Sequence, residues 1–280
     1  MTFIGQFLLS AVFPACAVTN KEKQRILQSF VERQVLYDDT TSVDSVISWS
    51  EQLLPTLKLE KDKEIYFLLQ LQLANAYTLR GDISLATNRA QLMYEEAKAT
   101  NYPFGMVVSN QAIGDAYNTI ANMTDKALES YNDALNELLR ISAQHPYRTR
   151  LMLKMSNVLQ RKGHLEEAQE VLEKLESILQ QTPDYSTEFF FYIEKTNFAI
   201  SHGHLAQSYL DEAAAWLHKM DSICQLHPEK FYRFHLEYTT AAYYRAMGNW
   251  DKQYWNKALK IYSKLQDEYA NNKRSTYYRW

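Results

Sequence analysis

Helix-breaking residues divide this sequence at a nearly constant interval, and this spacing constrains the fold more than any other feature. After residue 50 most breakers almost alternate, in the order Pro55, Gly81, Pro103, Pro146, Gly163, Pro183, Gly203, Pro228 and Gly248, and two further glycines, Gly105 and Gly114, fall outside this order. Ala121-Asn122 stands where a further glycine would be expected. We call the four glycines at 81, 163, 203 and 248, together with position 121, the marks. Successive marks are 40, 42, 40 and 45 residues apart. A period of this kind is typical of stacked helical hairpins.

The composition agrees with long helices. The 280 residues include only 7 Gly and 6 Pro, where average usage would place about 20 Gly and 14 Pro. A turn-rich β protein is therefore disfavoured. The formal net charge of -3 lacks the basic excess that nucleic acids and anionic lipids attract, so we expect neither as a partner.

The four glycine marks are followed by the same short pattern. Each glycine precedes a polar and then an apolar residue, as in Gly81-Asp82-Ile83, Gly163-His164-Leu165, Gly203-His204-Leu205 and Gly248-Asn249-Trp250. Glycine adopts the left-handed conformation that ends a helix, a polar side chain can cap the next helix, and an apolar residue can pack in the bend. The pattern predicts a helix-turn-helix corner at each mark.

A stripe of core residues precedes each corner. Seven residues before the marks, every residue is small: Ala74, Gly114, Ser156, Thr196 and Ala241. Four residues before the marks, most are large: Tyr77, Tyr117, Leu159, Ala199 and Tyr244. Spacings of three and four place both sets on one helix face, where the small residues allow a second helix to approach closely.

These positions resemble the tetratricopeptide repeat (TPR) family. The small-x2-Tyr-x3-Gly pattern, followed by Ala-x3-Tyr-x2-Ala, is matched by Ala74/Tyr77/Gly81/Ala86 and by Gly114/Tyr117 with Ala127/Tyr131/Ala134. The run from Gly163 to Ala168 is similar to the usual opening of the second helix. The period exceeds the family's usual length of about 34 residues, which implies longer helices. The helix after Gly203 can be registered on Ala206/Leu210/Ala213 or on Ala213/Leu217/Met220, and both registers stay open.

The resemblance implies an all-α fold, a right-handed TPR-like α-solenoid of about five to six helix pairs. We expect residues 19–280 to form one helical repeat domain, with clear repeats over 60–262. The remaining expected elements are a degenerate first pair over 21–54, with Trp49, Leu53 and Leu54 on its inner face, and a C-terminal helix over 263–280.

Residues 1–18 are predicted to be a signal peptide. The segment from Phe3 to Val18 is apolar and ends in Ala15-Cys16-Ala17, a small-residue pattern like a signal-peptidase site. It is too short to span a membrane as a helix. The usual Lys or Arg before the apolar run is missing. Two alternatives remain: a lipid anchor on Cys16, or a cytosolic chain in which these residues belong to the first helix.

The resemblance also implies a concave groove lined by the first helix of each pair. Six residues before the marks the sequence reads Asn75, Asp115, Asn157 and Asn197, then Ala242. Amides can bond a peptide backbone, so this row is predicted to bind an extended peptide while its asparagines add little to the fold. The alternative is that the repeat simply favours Asn there. The full predicted groove is Asn75, Thr78, Gln111, Asp115, Asn118, Arg150, Asn157, Gln160, Arg161, Asn197, His235 and Arg245.

Three other features have simpler interpretations than a functional site. A clamp for an acidic peptide would need Lys and Arg at matched groove positions, and the residues that break this pattern are Gln111, Asn118, Leu153 and Ile193. His202-Gly203-His204 lacks a third ligand nearby, and Cys224 lacks a local acid-base partner. The sequence contains no Gly-rich phosphate loop, Gly-x-Ser-x-Gly or His-Glu-x-x-His motif. We therefore expect no metal, no cofactor and no catalysis.

These features predict a non-catalytic scaffold that binds a protein or peptide. The apolar first segment favours an exported, periplasmic or membrane-associated protein, similar to the sensor regions of bacterial signalling proteins in which a TPR array precedes a membrane span. The aromatic and basic residues at 275–280 favour a membrane tether beyond Trp280, and an ordinary capping helix is the alternative. A cytosolic TPR adaptor or regulator is the second interpretation.

Overall fold

The fold is taken from a computed structural model that describes residues 43–228 and 230–270, together with Thr19 and Lys21. Within these residues 83% are helical and none forms a strand, so the predicted all-α repeat fold is confirmed. The helices are α1 Val43–Leu53, α2 Lys63–Arg80, α3 Ile83–Ala99, α4 Pro103–Tyr117, α5 Thr124–Ile141, α6 Tyr147–Lys162, α7 Leu165–Gln181, α8 Tyr185–His202, α9 Gln207–Leu226, α10 Lys230–Met247 and α11 Gln253–Ala270.

The helices from α2 onward form five antiparallel hairpins. The pairs are α2/α3, α4/α5, α6/α7, α8/α9 and α10/α11. Each helix packs against the helices before and after it, and first helices also pack on each other, α2 on α4, α6 on α8 and α8 on α10. Pro103 occupies the first turn of α4, where its missing N–H has no intrahelical partner to lose. The glycine marks thus fall within hairpins, and the prolines fall between them.

The corners differ in backbone conformation. Gly81 (φ 94°) and Gly163 (φ 78°) adopt the left-handed conformation. Asn122 (φ 64°) adopts it at the corner that lacks a glycine, in keeping with the tolerance of asparagine for this region. The prediction is wrong at the last two corners, because Gly203 has φ −60° and Gly248 also lies outside the left-handed region.

The polar residue of the corner does not cap the next helix. Asp82 and His164 occupy the N-cap positions of α3 and α7, but neither side chain makes a capping hydrogen bond. The Asp82 carboxylate pairs with Arg80, and His164 Nδ1 lies 2.8 Å from Glu167 Oε1. The predicted capping role is therefore wrong at both corners, because each polar side chain pairs with a neighbouring side chain instead of with the backbone of the next helix.

The small residues before the marks form a buried seam, as predicted. All five are buried: Ala74, Gly114, Ser156, Thr196 and Ala241. At Gly114 a Cβ atom would lie only 2.5 Å from Cε1 of Tyr131, whose ring fills the space on α5. A side chain at Gly114 would therefore push apart the two helices of the second hairpin.

The fourth hairpin resolves the two registers left open by the sequence. Helix α9 begins at Gln207, and Ala206 is its N-cap, outside the helix. The buried face of α9 includes Leu210, Ala213, Leu217 and Met220, so the two registers are parts of one stripe. A Cβ at Gly203 would lie 2.5 Å from Leu210 Cδ2, so this corner packs directly on the stripe.

Several predictions for the chain ends fall outside the described residues. These are the signal peptide and Cys16, residues 22–42 of the first pair, and residues 271–280. From the first pair, α1 buries Leu53 against α2, with Trp49 and Leu54 half-buried beside it. Helix α11 already spans residue 263 as part of Gln253–Ala270. None of the described helices combines the length and apolar character that a membrane crossing requires.

We expect Gly163→Val to lower the free energy of unfolding by roughly 1–2 kcal/mol, because a β-branched residue resists the left-handed conformation. A Cβ at this position would meet no atom within 4 Å, so the loss would report backbone strain rather than a clash. Gly163→Asn is the matched control, since Asn122 already adopts this conformation. Urea denaturation of the three proteins measures the effect, and equal losses for Val and Asn would contradict it.

Candidate functional site

The predicted groove residues all lie on the first helices of the hairpins or directly after one. Helix α2 carries Asn75 and Thr78, α4 carries Gln111 and Asp115 and is followed by Asn118, α6 carries Arg150, Asn157, Gln160 and Arg161, α8 carries Asn197, and α10 carries His235 and Arg245. We call Asn75, Asp115, Asn157 and Asn197 the first-helix row. Its members stand at equivalent positions, but their contacts differ from hairpin to hairpin.

Three pairs of polar side chains join α4 to α6. Each pairs a long side chain of α6 with a shorter polar side chain of α4 or of the residue after it. The pairs are Tyr147 Oη to Gln111 Oε1 (2.5 Å), Lys154 Nζ to Asp115 Oδ1 (2.7 Å) and Arg161 Nη1 to Asn118 Oδ1 (2.7 Å). The α6 members are seven residues apart, about two helical turns, and so share one face. Four predicted groove residues therefore connect two hairpins.

Asp115 is the most heavily bonded member of the first-helix row. Besides Lys154, it accepts a hydrogen bond from the Tyr131 hydroxyl at 2.7 Å and from Gln111 Nε2 at 3.2 Å. Burial and the nearby carboxylate raise the pKa of Tyr131 well above its usual value, so the hydroxyl keeps its proton and donates. Asp115 thus ties α4 to both α5 and α6.

Helix α8 carries a buried acid, Glu194, whose side chain faces α6. It is 9% exposed and accepts hydrogen bonds from Asn157 Nδ2 at 3.2 Å and Gln160 Nε2 at 2.9 Å. Burial raises the pKa of Glu194 to about 7, and the two amide donors offset this only in part. The expectation that Asn157 adds little to the fold is therefore wrong, because its amide satisfies a buried acid.

The two end members of the row are different. Asn75 and Asn197 are half-buried, and neither side chain makes a hydrogen bond within residues 43–228 and 230–270. Thr78, one turn after Asn75, donates its hydroxyl to the backbone oxygen of Ala74 at 3.0 Å. Asn75 and Asn197 are thus the row amides that the described fold does not use.

The polar character of the row ends before α10. The half-buried His235 ring packs among Phe190, Phe231 and Phe234, with ring centroids 4.7 to 5.8 Å away. Burial lowers the pKa of His235 to about 4, so the ring is neutral near pH 7. Arg245 is exposed. The predicted groove therefore continues into the last hairpin as an aromatic cluster with one exposed cation.

A cleft of about 770 Å³ opens at the N-terminal ends of α4, α6 and α8. Its walls include Leu68 of α2, Phe104 of α4 and Leu179 of α7. Of the twelve predicted groove residues, Arg150 is the one that lines this cleft. The cleft is therefore a candidate binding feature in addition to the first-helix row.

Comparison with known proteins bears on the fold. No protein-family model matches the sequence, and no curated protein matches it. The apo form of RapI is similar in structure, with a TM-score of 0.56 and 13% identity over 88% of this chain and 91% of RapI. Two structures of TPR-like repeats from a Podospora anserina kinesin light chain give TM-scores of 0.47 and 0.46, at 16% and 17% identity over 73% of this chain and 95% of each repeat chain.

The fold is that of a TPR-like helical repeat. The two histidines of the fourth corner take part in local hydrogen bonding. His202 and His204 each place Nδ1 2.9 Å from a backbone oxygen of α8. Among the residues that the structure describes, no group of three or more His, Cys, Asp and Glu could hold a metal ion. Cys224 is buried in an apolar cluster of the TPR-like core.

The sequence interpretation missed Glu194, Lys154 and the cleft. Glu194 had a recognisable signal, since it follows the buried residues Thr187 and Phe191 at helical spacings of seven and three on the same face. Lys154 carried no such signal, because a lysine beside an Asn row reads as an ordinary solvated residue. The cleft depends on how hairpins are offset from one another, which the TPR-like repeat pattern does not specify.

We expect the stability of the protein to fall between pH 5 and pH 8 through Glu194. Because its folded pKa is raised, its contribution to stability is fully present below its ordinary pKa and is lost as the pH rises through about 7. The wild type should therefore lose roughly 2–3 kcal/mol more over this interval than Glu194→Gln, which has no proton to release.

Urea denaturation at both pH values measures this difference. His235 titrates in both proteins, so the comparison isolates Glu194. Glu188→Gln, a half-buried position on the same helix but away from the two amides, is the control and should keep the wild-type pH dependence. A wild type and a Glu194→Gln variant with parallel pH profiles would contradict the assignment.

Proposed function

We propose that this protein is a non-catalytic scaffold that binds a peptide segment of a partner protein along the first-helix row. The observation that carries the proposal is the pair of half-buried amides, Asn75 and Asn197, that the described fold does not use. The TPR-like fold supports a binding role, since stacked hairpins present extended surfaces suited to recognition.

A side-chain amide has the right chemistry for this task. Its carbonyl oxygen can accept a hydrogen bond from a peptide N–H, and its N–H groups can donate to a peptide carbonyl. Half-burial reduces competition from water at both positions. Because α2 and α8 belong to the first and fourth hairpins, a ligand that reaches both amides must be extended and several residues long.

We also propose that the chain is the exported sensor or interaction region of a bacterial signalling protein. Support comes from the apolar segment Phe3 to Val18 and from the aromatic and basic residues at 275–280. A cytosolic adaptor or regulator is the alternative. Mass spectrometry of the protein from its native host separates the two, since a mature N-terminus near Val18 supports export and a retained N-terminal segment supports the adaptor.

We expect the double substitution Asn75→Ala and Asn197→Ala to weaken peptide binding by roughly tenfold or more, because two neutral hydrogen bonds are lost. Selection from a random peptide library on the wild-type protein supplies the probes, and calorimetry measures their affinities for both proteins. The melting temperature should hold or rise, since alanine is the better helix former.

Asn157→Ala is the matched control, since it removes the same side chain from the same row. It should lower stability by about 1–3 kcal/mol, because it deprives the buried Glu194 of a donor. Selected peptides that bind the double variant as tightly as the wild type would show that recognition lies elsewhere. A library that yields no binding peptide would count against the scaffold itself.

A further inference from the structure

The cleft beside the first-helix row has the size and walls of a small-molecule site. Its volume of about 770 Å³ lies within the range of roughly 300–1,000 Å³ that holds drug-sized ligands. Its lining comes from four first helices, the end of α7 and the connecting segments 144–146 and 182–184, so it exists only when the hairpins are stacked. Its deep wall is apolar at Leu68 and Leu179, which are 3% and 6% exposed.

The most buried charged group in the lining of this cleft is Arg150, and the second arginine of the lining, Arg148, is half-buried. Arg150 is 8% exposed, and its guanidinium lies 5.5 Å from the centre of the Tyr147 ring. A guanidinium stays positively charged at every physiological pH and carries five N–H donors in a planar fork, a geometry suited to a carboxylate or sulfonate. The interior of the cleft therefore combines an apolar wall with a buried positive charge.

The acidic residues of the cleft are less enclosed. Glu64 is exposed, and Asp184 is the N-cap of α8, where its carboxylate accepts a hydrogen bond from the Thr187 backbone at 2.9 Å. His145 stacks on Phe104 at 5.2 Å, and burial lowers its pKa, which favours a neutral ring near pH 7. The charge therefore changes from mixed at the rim to positive inside.

We propose that this cleft binds a small organic anion, with its carboxylate or sulfonate on Arg150 and its apolar body against Leu68, Phe104 and Leu179. The proposal is independent of peptide binding along the first-helix row, because Asn75 and Asn197 do not line the cleft. A ligand seated there contacts α2, α4, α6, α7 and α8 at once. It would stabilise the stacked arrangement of the first four hairpins.

Two fluorescent probes that share one aromatic frame test the proposal. They are 8-anilinonaphthalene-1-sulfonate, an anion, and N-phenyl-1-naphthylamine, its neutral counterpart without the sulfonate. We expect the anion to bind the wild type at one site and at least about tenfold more tightly, because a charge-assisted pair with Arg150 is added. Arg150→Gln should reduce the anion to the affinity of the neutral probe and leave the neutral probe within twofold.

Arg245→Gln is the matched control, since it removes an exposed charge outside the cleft and should change neither affinity beyond twofold. Thr149→Trp keeps Arg150 but adds bulk at a half-buried position of the lining, and should weaken both probes at least about fivefold. This variant decides the test if Arg150→Gln fails to fold, as judged by circular dichroism. Equal affinity for the two probes in the wild type, a folded Arg150→Gln that keeps the anion, an equal loss in Arg245→Gln, or an unaffected Thr149→Trp would each overturn the proposal.

Discussion

The close approach of the two helices in each hairpin sets the positions of the side chains around it. In the second hairpin the missing side chain of Gly114 lets the Tyr131 ring lie against α4, and this places the Tyr131 hydroxyl 2.7 Å from Asp115, the next residue along. Asp115 in turn lies 2.7 Å from Lys154 of the following hairpin. A packing contact inside one hairpin is thus connected, through one residue of the first-helix row, to the joint with the next.

The joints between hairpins use different chemistry at equivalent positions. The polar contacts between α4 and α6 pair long side chains with shorter ones, and those between α6 and α8 pair a buried acid with two amides. Between α8 and α10 aromatic rings pack on one another. A repeat protein tolerates such variety because each hairpin packs mainly on its neighbours, so that a change at one joint does not have to be matched at the others. The amides left unused at Asn75 and Asn197 stand out against this background.

Much of the fold could be predicted from the sequence, because helix breakers and the small seam are local signals with a clear physical cause. Gly81 and Gly163 behave as their pattern predicts, and Asn122 replaces a glycine as its chemistry allows. Gly203 does not, since a Cβ there would meet the side chain of Leu210, in the first turn of the helix that follows the corner. Local patterns indicate where a chain turns. They do not indicate whether a glycine is needed there for its left-handed backbone conformation or for its missing side chain.

The candidate site was less predictable for the same reason. Equal offsets from the marks placed Asn75, Asn157 and Asn197 in one row, but offsets within a helix do not specify the residue that faces each of them from the next hairpin. Glu194 faces Asn157 from a distance of 37 positions along the chain, and this pairing decides whether the amide is structural or open to a ligand. Site prediction in a repeat fold therefore depends on the joints, which sequence periodicity alone does not describe.

The buried Glu194 has a consequence for how the solenoid assembles. Its enclosure is completed only when the fourth hairpin docks on the third, because its two amide donors belong to α6. A carboxyl group whose pKa rises to about 7 on burial takes up a proton during that docking when the surroundings are near neutral. Proton uptake therefore accompanies the docking of the fourth hairpin on the third. A lower pH in the compartment where the chain folds favours this docking, and a higher pH disfavours it.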